Sequence, residues 1–469
     1  MRRSLLLAAL LLPSSTMAAS ISATGYPGGP DSGAATPNVG AIHYNPAAIA
    51  ATEGVQVMID GYAAFVRVDA TTTRNDGIDP NTGEPYAVAQ ARVTVPVALL
   101  GATWKVIPDR LAVGFAVIDA FVGGGDYTAG EPDLEAPWES HQRYSAVTTT
   151  ILTLHLIPAV GVTVIDGVHV GAGLKYIIDS IDAVQTADPL GNEGQSVDGP
   201  YMGDTILEAH AKGHHLGWNA GVFVDRWKYL QVGASYADNG DFTAEGTGSL
   251  TVPTWLGGGS PEAQVTFDMP LPAVVNVWAN SQVSDKLMVG AGWEYQMWSN
   301  CCGDHEGDLR IGVLSSDGDL LGEDPEDGIT GLTIAEEQFS PRRLWNASNF
   351  MASAGYQAND KLWFGAKGGY HQNAVPDYAV SATNIDYQSV GLMLAGRVQV
   401  AEPLVVGVSY SKFMIFDREI TNSAWDVRDE DDPAYRDEYF SPKNPYKAGT
   451  NGLYTAKADM VGVRIDMQF

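Results

Sequence analysis

The side chains of this chain that could do chemistry are few and widely spaced. His210, His214 and His215 follow Glu208 closely, a set that suits either a metal ion or the polar end of a long loop. No nucleophile motif such as G-x-S-x-G accompanies the histidines, so hydrolase chemistry has no visible centre. The two cysteines are adjacent and do not form a zinc-type spacing. The residues therefore predict a protein that is not an enzyme and that holds no cofactor and no metal.

The N-terminus and the charge narrow the class of protein. Residues 1–19 combine Arg2 and Arg3 with an apolar run from Leu5 to Leu12 and small residues at Ala18 and Ala19, which predicts a signal peptide. No later apolar run reaches the about 20 residues that a membrane-spanning helix requires. A net charge of −29 excludes a nucleic-acid-binding surface. We therefore expect an exported protein without transmembrane helices.

The elements that must position the polar side chains have the pattern of two-faced strands. In residues 461–469, Val461, Val463, Ile465, Met467 and Phe469 alternate with polar residues and glycine. This period of two puts one face in an apolar environment and the other in a polar one. Similar alternation runs through residues 168–176, 287–297, 362–370 and 390–400. With 52 Gly, 20 Tyr and 11 Trp, the composition is typical of a membrane β-barrel with aromatic girdles.

The connections predict the number of strands. Six segments have the residue types of tight turns: 107–110, 165–167, 225–228, 284–286, 359–361 and 401–403. Longer segments rich in Gly and Asp alternate with them. Six short turns and seven long loops give about fourteen strands, with both termini on the short-turn side. The predicted fold is all-β: a fourteen-stranded antiparallel transmembrane β-barrel.

The strand faces that should point into the barrel carry both charged and large apolar side chains. A water-filled pore needs a polar lumen. Large apolar and methionine side chains there instead suggest a pocket for an apolar ligand. Packing against a plug is an equally good explanation. Lys367 and Arg397 could bind a carboxylate headgroup, or could pair with Glu294 or Asp466 across the lumen. The candidate pocket residues are Met58, Phe223, Trp278, Met288, Trp363, Met393, Lys367 and Arg397.

Several segments resemble the FadL/TodX family of outer-membrane transporters for long-chain fatty acids and aromatic hydrocarbons. Residues 40–50 contain Asn45, Pro46 and Ala47 and are similar to the family's plug motif. Further similar segments follow in the family's order, at residues 112–127, 156–161, 270–272, 293–299 and 368–377. The resemblance implies a fourteen-stranded barrel with an N-terminal plug inside the lumen. It sets the expected boundaries at 1–19 for the signal peptide, 20–53 for the plug and 54–469 for the barrel.

The resemblance also implies that substrate leaves sideways through a gap beside a kinked third strand. Pro96 cannot donate to a strand ladder. Asp119 continues an apolar face, where a carboxylate is costly in mid-bilayer. It lies either near the outer interface or at a bulge that shifts the register. We expect Pro96 and the stretch containing Asp119, Gly123 and Gly124 to frame the lateral opening, although Asp119 as an ordinary interfacial residue is equally consistent.

The expected function is passive uptake of hydrophobic compounds, long-chain fatty acids or aromatic hydrocarbons, across the outer membrane. The alternatives are a general diffusion porin and a structural or adhesin barrel whose acidic loops, 304–337 and 417–438, do the binding. The expected partners are outer-membrane lipid and lipopolysaccharide, a hydrophobic small molecule, and the barrel insertion machinery during biogenesis. Phe469 is the terminal aromatic that this machinery would read.

Overall fold

The structure is a computed structural model. It describes residues 27–72, 89–126, 147–187, 205–251, 259–260, 262–299, 309–315, 337–340, 344–380, 385–421 and 452–469. The predicted signal peptide, the first residues of the predicted plug, Cys301 and Cys302, and much of both acidic loops lie outside these residues.

Fourteen antiparallel strands, some built from two consecutive segments, form the wall of a barrel. The first seven are β1 (Val55–Thr72), β2 (Ala89–Ile107), β3 (Leu111–Asp126), β4 (Thr148–Ile165), β5 (Val168–Ala187), β6 (Thr205–Trp227) and β7 (Leu230–Asp238 with Asp241–Thr251). The last seven are β8 (Glu262–Pro270 with Val274–Ser284), β9 (Leu287–Gln296 with Leu309–Ser315), β10 (Glu337–Ser340 with Ala347–Asn359), β11 (Leu362–His371), β12 (Ser389–Ala401), β13 (Leu404–Ile415 with Arg418–Ile420) and β14 (Gly452–Gln468). The predicted fold class is confirmed.

The barrel closes where its first and last strands meet. β1 pairs with β14 from Gln56 opposite Gln468 to Thr72 opposite Gly452. The backbones of Val55 and Phe469 exchange two hydrogen bonds, of 2.9 and 2.8 Å. Closure satisfies the backbone groups that an open sheet edge would expose to lipid. The two-faced segment 461–469 is therefore the last strand, as its alternation predicts.

All six predicted tight turns connect consecutive strands at one end of the barrel. The first of them contains Asp109 at φ 58°, and the third residue of the second, Gly167, has φ 70°, backbone that suits a tight reversal. The strand ends that the seven other connections join lie at the opposite end. In outer-membrane barrels the short turns are periplasmic and the long loops extracellular. We call these the periplasmic and outer ends.

The two faces of the strands follow the predicted alternation. Val408 is 62% exposed and Val463 53% exposed on the outside, whereas Met393 and Lys175 are buried inside. The outward positions are mostly apolar and match a lipid environment, because lipid-facing and lumen-facing residues alternate in such barrels. In the described part of the chain, no helix has the length and apolar character needed to cross a membrane.

Residues 27–53, the inner segment, lie inside the barrel. They contain a short helix, α1 (Ala41–Tyr44), and a 3-10 helix (Pro46–Ala51). Pro46 is suited to the first position of the second helix, and the side chain of Asn45 accepts a hydrogen bond of 3.2 Å from the backbone N–H of Ala47. Small and aliphatic residues of the segment pack with inward side chains of the wall, including Leu99, Ile118 and Phe223.

Candidate functional site

Buried amides of the barrel wall hold the middle of the inner segment. Asn219 on β6 donates hydrogen bonds of 2.9 and 3.0 Å to the carbonyls of Ile42 and His43. Asn280 on β8 donates one of 3.0 Å to the carbonyl of Ala35. From within the segment, Asn45 donates to Val222 on β6 at 3.0 Å. Each bond satisfies a buried backbone carbonyl, which would otherwise be costly to remove from water.

Charged side chains hold the start of the inner segment. The carboxylate of Asp31 accepts hydrogen bonds from both terminal nitrogens of Arg397 on β12, one of them 2.7 Å long, and lies 3.6 Å from Arg464 on β14. Arg464 also donates to the carbonyl of Gly28. On the other side, Lys367 on β11 donates to the backbone and hydroxyl oxygens of Ser32, at 3.1 and 3.0 Å. Three cations of the wall therefore converge on residues 28–32.

The electrostatics of this attachment can be judged from titratable groups of the inner segment. Burial alone would raise the pKa of Asp31, but the positive charges of Arg397 and Arg464 outweigh it and lower the pKa to about 2. Asp31 is therefore ionised in the attached segment at neutral pH. Burial, assisted by the charge of Lys175, lowers the pKa of His43 to about 3. His43 is therefore neutral at neutral pH, whereas Asp31 carries the charge that pairs with the two arginines.

Close approach between the wall and the segment requires glycine at defined positions. A Cβ on Gly233 would lie 1.9 Å from the carbonyl oxygen of Ala34. A Cβ on Gly171 would lie 2.4 Å from the backbone nitrogen of Ala47. Both distances are shorter than any van der Waals contact. These inward glycines therefore let the backbone of the segment lie directly on the wall.

The eight candidate pocket residues do not converge on one site. Met58, Phe223 and Trp278 are buried against the inner segment. Met393 is buried in a separate apolar cluster nearer the outer end. Met288 is only half-buried. The structure thus places three of these side chains where packing against the inner segment explains them.

The remaining three candidates combine charge with an aromatic ring. Lys367 lies 5.0 Å from the centre of the Trp278 ring, and Arg397 lies 4.3 Å from that of Trp363. Both cations also bind the inner segment. A cavity of about 370 Å³ opens beneath the segment at the periplasmic end, and its lining includes Met58, Trp363, Arg397, Arg464 and Asp466.

A second apolar cluster lies in the outer half of the lumen. Residues 372–380 and 385–388, from the β11–β12 connection, pack into it through Val375, Val380 and Tyr387, all fully buried. The carboxylate of Asp386 accepts hydrogen bonds from the backbone N–H groups of Ala374 and Val375. The cluster continues along the wall and includes Val95, Val97, Met393, Phe413, Tyr454 and Met460.

The β2–β3 ladder is interrupted beside this apolar cluster. β2 pairs with β3 from Ile107 up to Leu99, opposite Ile118, and then only at Arg92, opposite Asp126. Within these two described strands, residues 93–98 of β2, which include Pro96, have no partner in β3. The same residues of β2 remain paired with β1.

β3 is irregular at the same height. A register shift between Asp119 and Phe121 interrupts its pairing with β4, which matches the bulge left open by the sequence. The carboxylate of Asp119 lies beside the backbone N–H of Ala98 across the interruption. Gly123 and Gly124 follow opposite Ile151 and Thr150, and Gly124 has φ 137°, a conformation that favours glycine. Pro96, Asp119, Gly123 and Gly124 thus all belong to the two strand segments at the interruption.

The histidine cluster is not where the sequence suggested. His210, His214 and His215 lie within β6 rather than at a loop end, because the strand runs on as far as Thr205. His210 and His214 are exposed, while His215 points inward and lies 2.9 Å from the buried carboxylate of Asp179. Among the described residues, no group of three or more His, Cys, Asp and Glu side chains could hold a metal ion.

Sequence reasoning missed the residues that hold the inner segment. Asp31 was not singled out, and neither were Asn219 and Asn280. The sequence did contain a signal for them. Asn219 and Asn280 are amides at inward strand positions, and Asp31 is a carboxylate in a Gly-rich segment; a buried polar group at such a position needs a partner.

A closed fourteen-stranded barrel with an apolar outer face, short turns at one end and an occupied lumen defines a β-barrel of the bacterial outer membrane. The sequence profile of the outer membrane protein transport family (OMPP1/FadL/TodX) matches residues 4–383, and the chain belongs to this family. The resemblance that the sequence suggested is confirmed. It is a family of transport proteins rather than of enzymes.

Three solved structures have a similar fold. A Pseudomonas aeruginosa FadL homologue is 16% identical, with 98% of this chain and 99% of the other covered and a TM-score of 0.68. The Ralstonia pickettii toluene transporter TbuX is 15% identical, with 97% and 99% covered and a TM-score of 0.62. The Pseudomonas putida toluene transporter TodX is 13% identical, with 99% and 100% covered and a TM-score of 0.63. Comparison with curated protein sequences gave no match.

Proposed function

We propose that this outer-membrane transporter takes up long-chain fatty acids or aromatic hydrocarbons by passive diffusion through an apolar lumen and a lateral exit. The proposal rests on one observation: the apolar cluster of the outer lumen reaches the segment of β2 that has no partners in β3. The buried apolar cluster of the outer lumen reaches Val95 and Val97 on β2. Those residues belong to the segment of β2 without ladder partners in the described part of β3.

The free energy of an apolar solute supports a sideways path. Burial of a hydrocarbon chain stabilises it by about 0.8 kcal/mol for each CH₂ group. Release into aqueous periplasm would lose that stabilisation, whereas passage between β2 and β3 into lipid would keep it. The periplasmic cavity has the charged side chains of Arg397, Arg464 and Asp466 in its lining and is a poor route for such a solute.

The inner segment is the proposed plug, within the boundaries 20–53. It occupies the lumen on the periplasmic side of the apolar cluster and is attached to the wall by the amides and ion pairs described above. In this position it obstructs straight passage of solutes to the periplasm. A general porin needs a wide open lumen, and the anchored segment argues against that alternative.

A disulfide across the interrupted ladder tests the lateral exit. In a background with Cys301→Ser and Cys302→Ser, Pro96→Cys is combined in turn with a cysteine at each position from 121 to 124. Cells that express each variant are supplied with a labelled long-chain fatty acid or a labelled monoaromatic hydrocarbon. Oxidation of a pair that crosslinks should stop uptake, and reductant should restore it.

The control disulfide joins Ala63→Cys to Val461→Cys, directly opposite residues in the intact β1–β14 ladder. It should leave uptake unchanged. Undiminished uptake through a fully crosslinked β2–β3 pair would refute the lateral exit while leaving the cargo assignment standing. Failure of the parent protein to take up either compound would refute the cargo assignment itself.

A further inference from the structure

Three cations form a row across the outward face of neighbouring strands. Lys457 on β14 lies directly opposite Arg67 on β1, and Arg67 lies directly opposite Arg92 on β2. All three residues are exposed. Directly opposite side chains have their Cβ atoms about 5 Å apart, and like charges in this relation destabilise a sheet. We call these three residues the outer basic row. A bound anion would offset the repulsion between their charges.

The row lies at the height of the outer lipid headgroups. Along β1, the outward residues from Val57 onward include Ile59 and Phe65, which are 43% and 49% exposed, before Arg67 is reached. Ten residues separate Val57 from Arg67, and a rise of about 3.3 Å per residue with a tilt of about 40° gives a height of about 25 Å. The apolar band of such a barrel is also about 25 Å tall. Arg67 thus lies where that band ends, on the side of the long loops.

The charges of the row are only partly compensated. The carboxylate of Asp69 accepts hydrogen bonds of 2.9 Å from the Nε of Arg67, and Asp126 lies opposite Arg92 in the ladder. Arg92 donates to the side chain of Gln90 at 3.2 Å. Lys457 makes no ion pair among the described residues. The terminal nitrogens of Arg67 likewise have no acceptor within the described part of the chain, so donors remain for a ligand.

A neighbouring outward cation shows the contrasting arrangement. Lys412 on β13 lies directly opposite Asp459 and forms an ion pair of 2.9 Å with it. Its charge is neutralised by the wall itself. The outer basic row keeps an excess of positive charge in a chain whose net charge is −29. An excess of positive charge at the height of the outer headgroups favours binding of an anionic group of the membrane.

We propose that the outer basic row binds the phosphate groups of the glycolipid in the outer leaflet. Guanidinium and ammonium groups donate strong hydrogen bonds to phosphate, and arginine does so with two parallel bonds. The acyl chains of the same lipid would lie against the apolar band below, beginning at Phe65. A free phosphate ion lacks that second contact. Arg92 is also where the β2–β3 ladder resumes, so the bound glycolipid borders the interrupted segment.

Binding of purified lipid A to the full protein in detergent tests the assignment. The triple variant Arg67→Gln, Arg92→Gln and Lys457→Gln should bind bisphosphorylated lipid A about a hundred-fold more weakly, because each cation near a charged lipid surface contributes about a five-fold effect. The single variant Lys457→Gln should lose about five-fold, which keeps the test available if the triple variant folds poorly. Migration of the unheated protein on a gel reports folding.

The matched control removes two arginines and a lysine from exposed periplasmic turns: Arg110→Gln, Arg226→Gln and Lys286→Gln. It should bind lipid A as the parent protein does. Dephosphorylated lipid A should bind weakly to every protein, and inorganic phosphate should not compete at millimolar concentration. Equal loss in the control, undiminished binding by the row variants, or equal affinity for dephosphorylated lipid A would each overturn the proposal. Competition by inorganic phosphate would show a free-anion site instead. None of these outcomes depends on what the lumen transports.

Discussion

Replacing Asp31 by asparagine removes the carboxylate that two inward arginines of the wall share. Arg397 on β12 donates to both of its oxygens, and Arg464 on β14 lies 3.6 Å away. Asparagine keeps the size of the side chain but removes the charge. The inner segment would remain attached through Asn219 and Asn280, so the variant weakens one end of the attachment rather than all of it.

The magnitude follows from the protonation of Asp31. Its pKa is 3.8 in an ordinary environment and about 2 in the attached segment. One pKa unit corresponds to about 1.4 kcal/mol, so the ionised carboxylate contributes about 2 kcal/mol to the attachment. Its loss also leaves Arg397 without a carboxylate partner among the described residues, which increases the cost further, whereas Arg464 keeps its ion pair with Asp466. A cost of 2 kcal/mol corresponds to a roughly 30-fold larger detached fraction.

Single-channel conductance in planar bilayers measures that fraction, because a detached segment opens an aqueous path through the lumen. The parent protein should be nearly silent, and Asp31→Asn should open at least about 30-fold more often. The pH dependence has a defined sign. Since attachment lowers the pKa of Asp31, the ionic contribution is complete above about pH 4 and is lost as the pH falls toward 2. Openings of the parent should increase over that range, and those of Asp31→Asn should change little.

The control is Asp285→Asn, which removes an exposed carboxylate from a periplasmic turn. It should open as rarely as the parent at neutral pH. If Asp31→Asn is as silent as the parent, the ion pairs do not hold the segment and the reasoning is refuted. The same conclusion follows if Asp285→Asn opens as often as Asp31→Asn.

Three further substitutions test the packing of the segment and the irregular strand. Gly233→Val should displace the inner segment and raise conductance, because its Cβ would lie 1.9 Å from the carbonyl oxygen of Ala34. The control Gly61→Ala should do neither, because no atom lies within 4 Å of its Cβ. Asn45→Ala removes hydrogen bonds to Ala34 and Val222 and should weaken attachment by about 1–3 kcal/mol, seen as more frequent openings than in Asp285→Asn. Gly124→Ala should lower the stability of the folded barrel by at least about 1–3 kcal/mol. Its φ of 137° is strained for alanine, and its Cβ would lie 2.0 Å from the carbonyl oxygen of Thr149. An unchanged melting temperature would show that β3 does not hold this conformation.

Local patterns were sufficient for the wall of the barrel. The period of two in residues 461–469 and in β5, β9, β11 and β12 predicted which side chains are exposed outside and buried inside. Tight-turn residue types predicted all six periplasmic connections and so the strand number. These features depend on neighbouring residues and on the difference between lipid and lumen, which every strand meets independently.

The lumen was less predictable, because its contacts join residues far apart in the chain. Alternation identified Lys367 and Arg397 as inward, but it left their partners open between a ligand, Glu294 and Asp466. Their partners are Ser32 and Asp31 of the inner segment. The histidines of β6 were misplaced for a related reason: polar residues at its outer end have the composition of a loop, yet they pair in register with β5.

The sequence by itself determined a barrel whose outer face is apolar, because alternation and turn chemistry depend on neighbouring residues. Closure required only that the first and last strands both have this alternation. Only the tertiary structure decided what fills the barrel and where its wall is interrupted. Asp31 meets Arg397 and Arg464 across more than three hundred residues of chain. The segment of β2 without partners in β3 likewise lies beside a register shift in the pairing of β3 with β4. Contacts of this kind follow from how the strands are assembled around the lumen, and a one-dimensional pattern does not contain them.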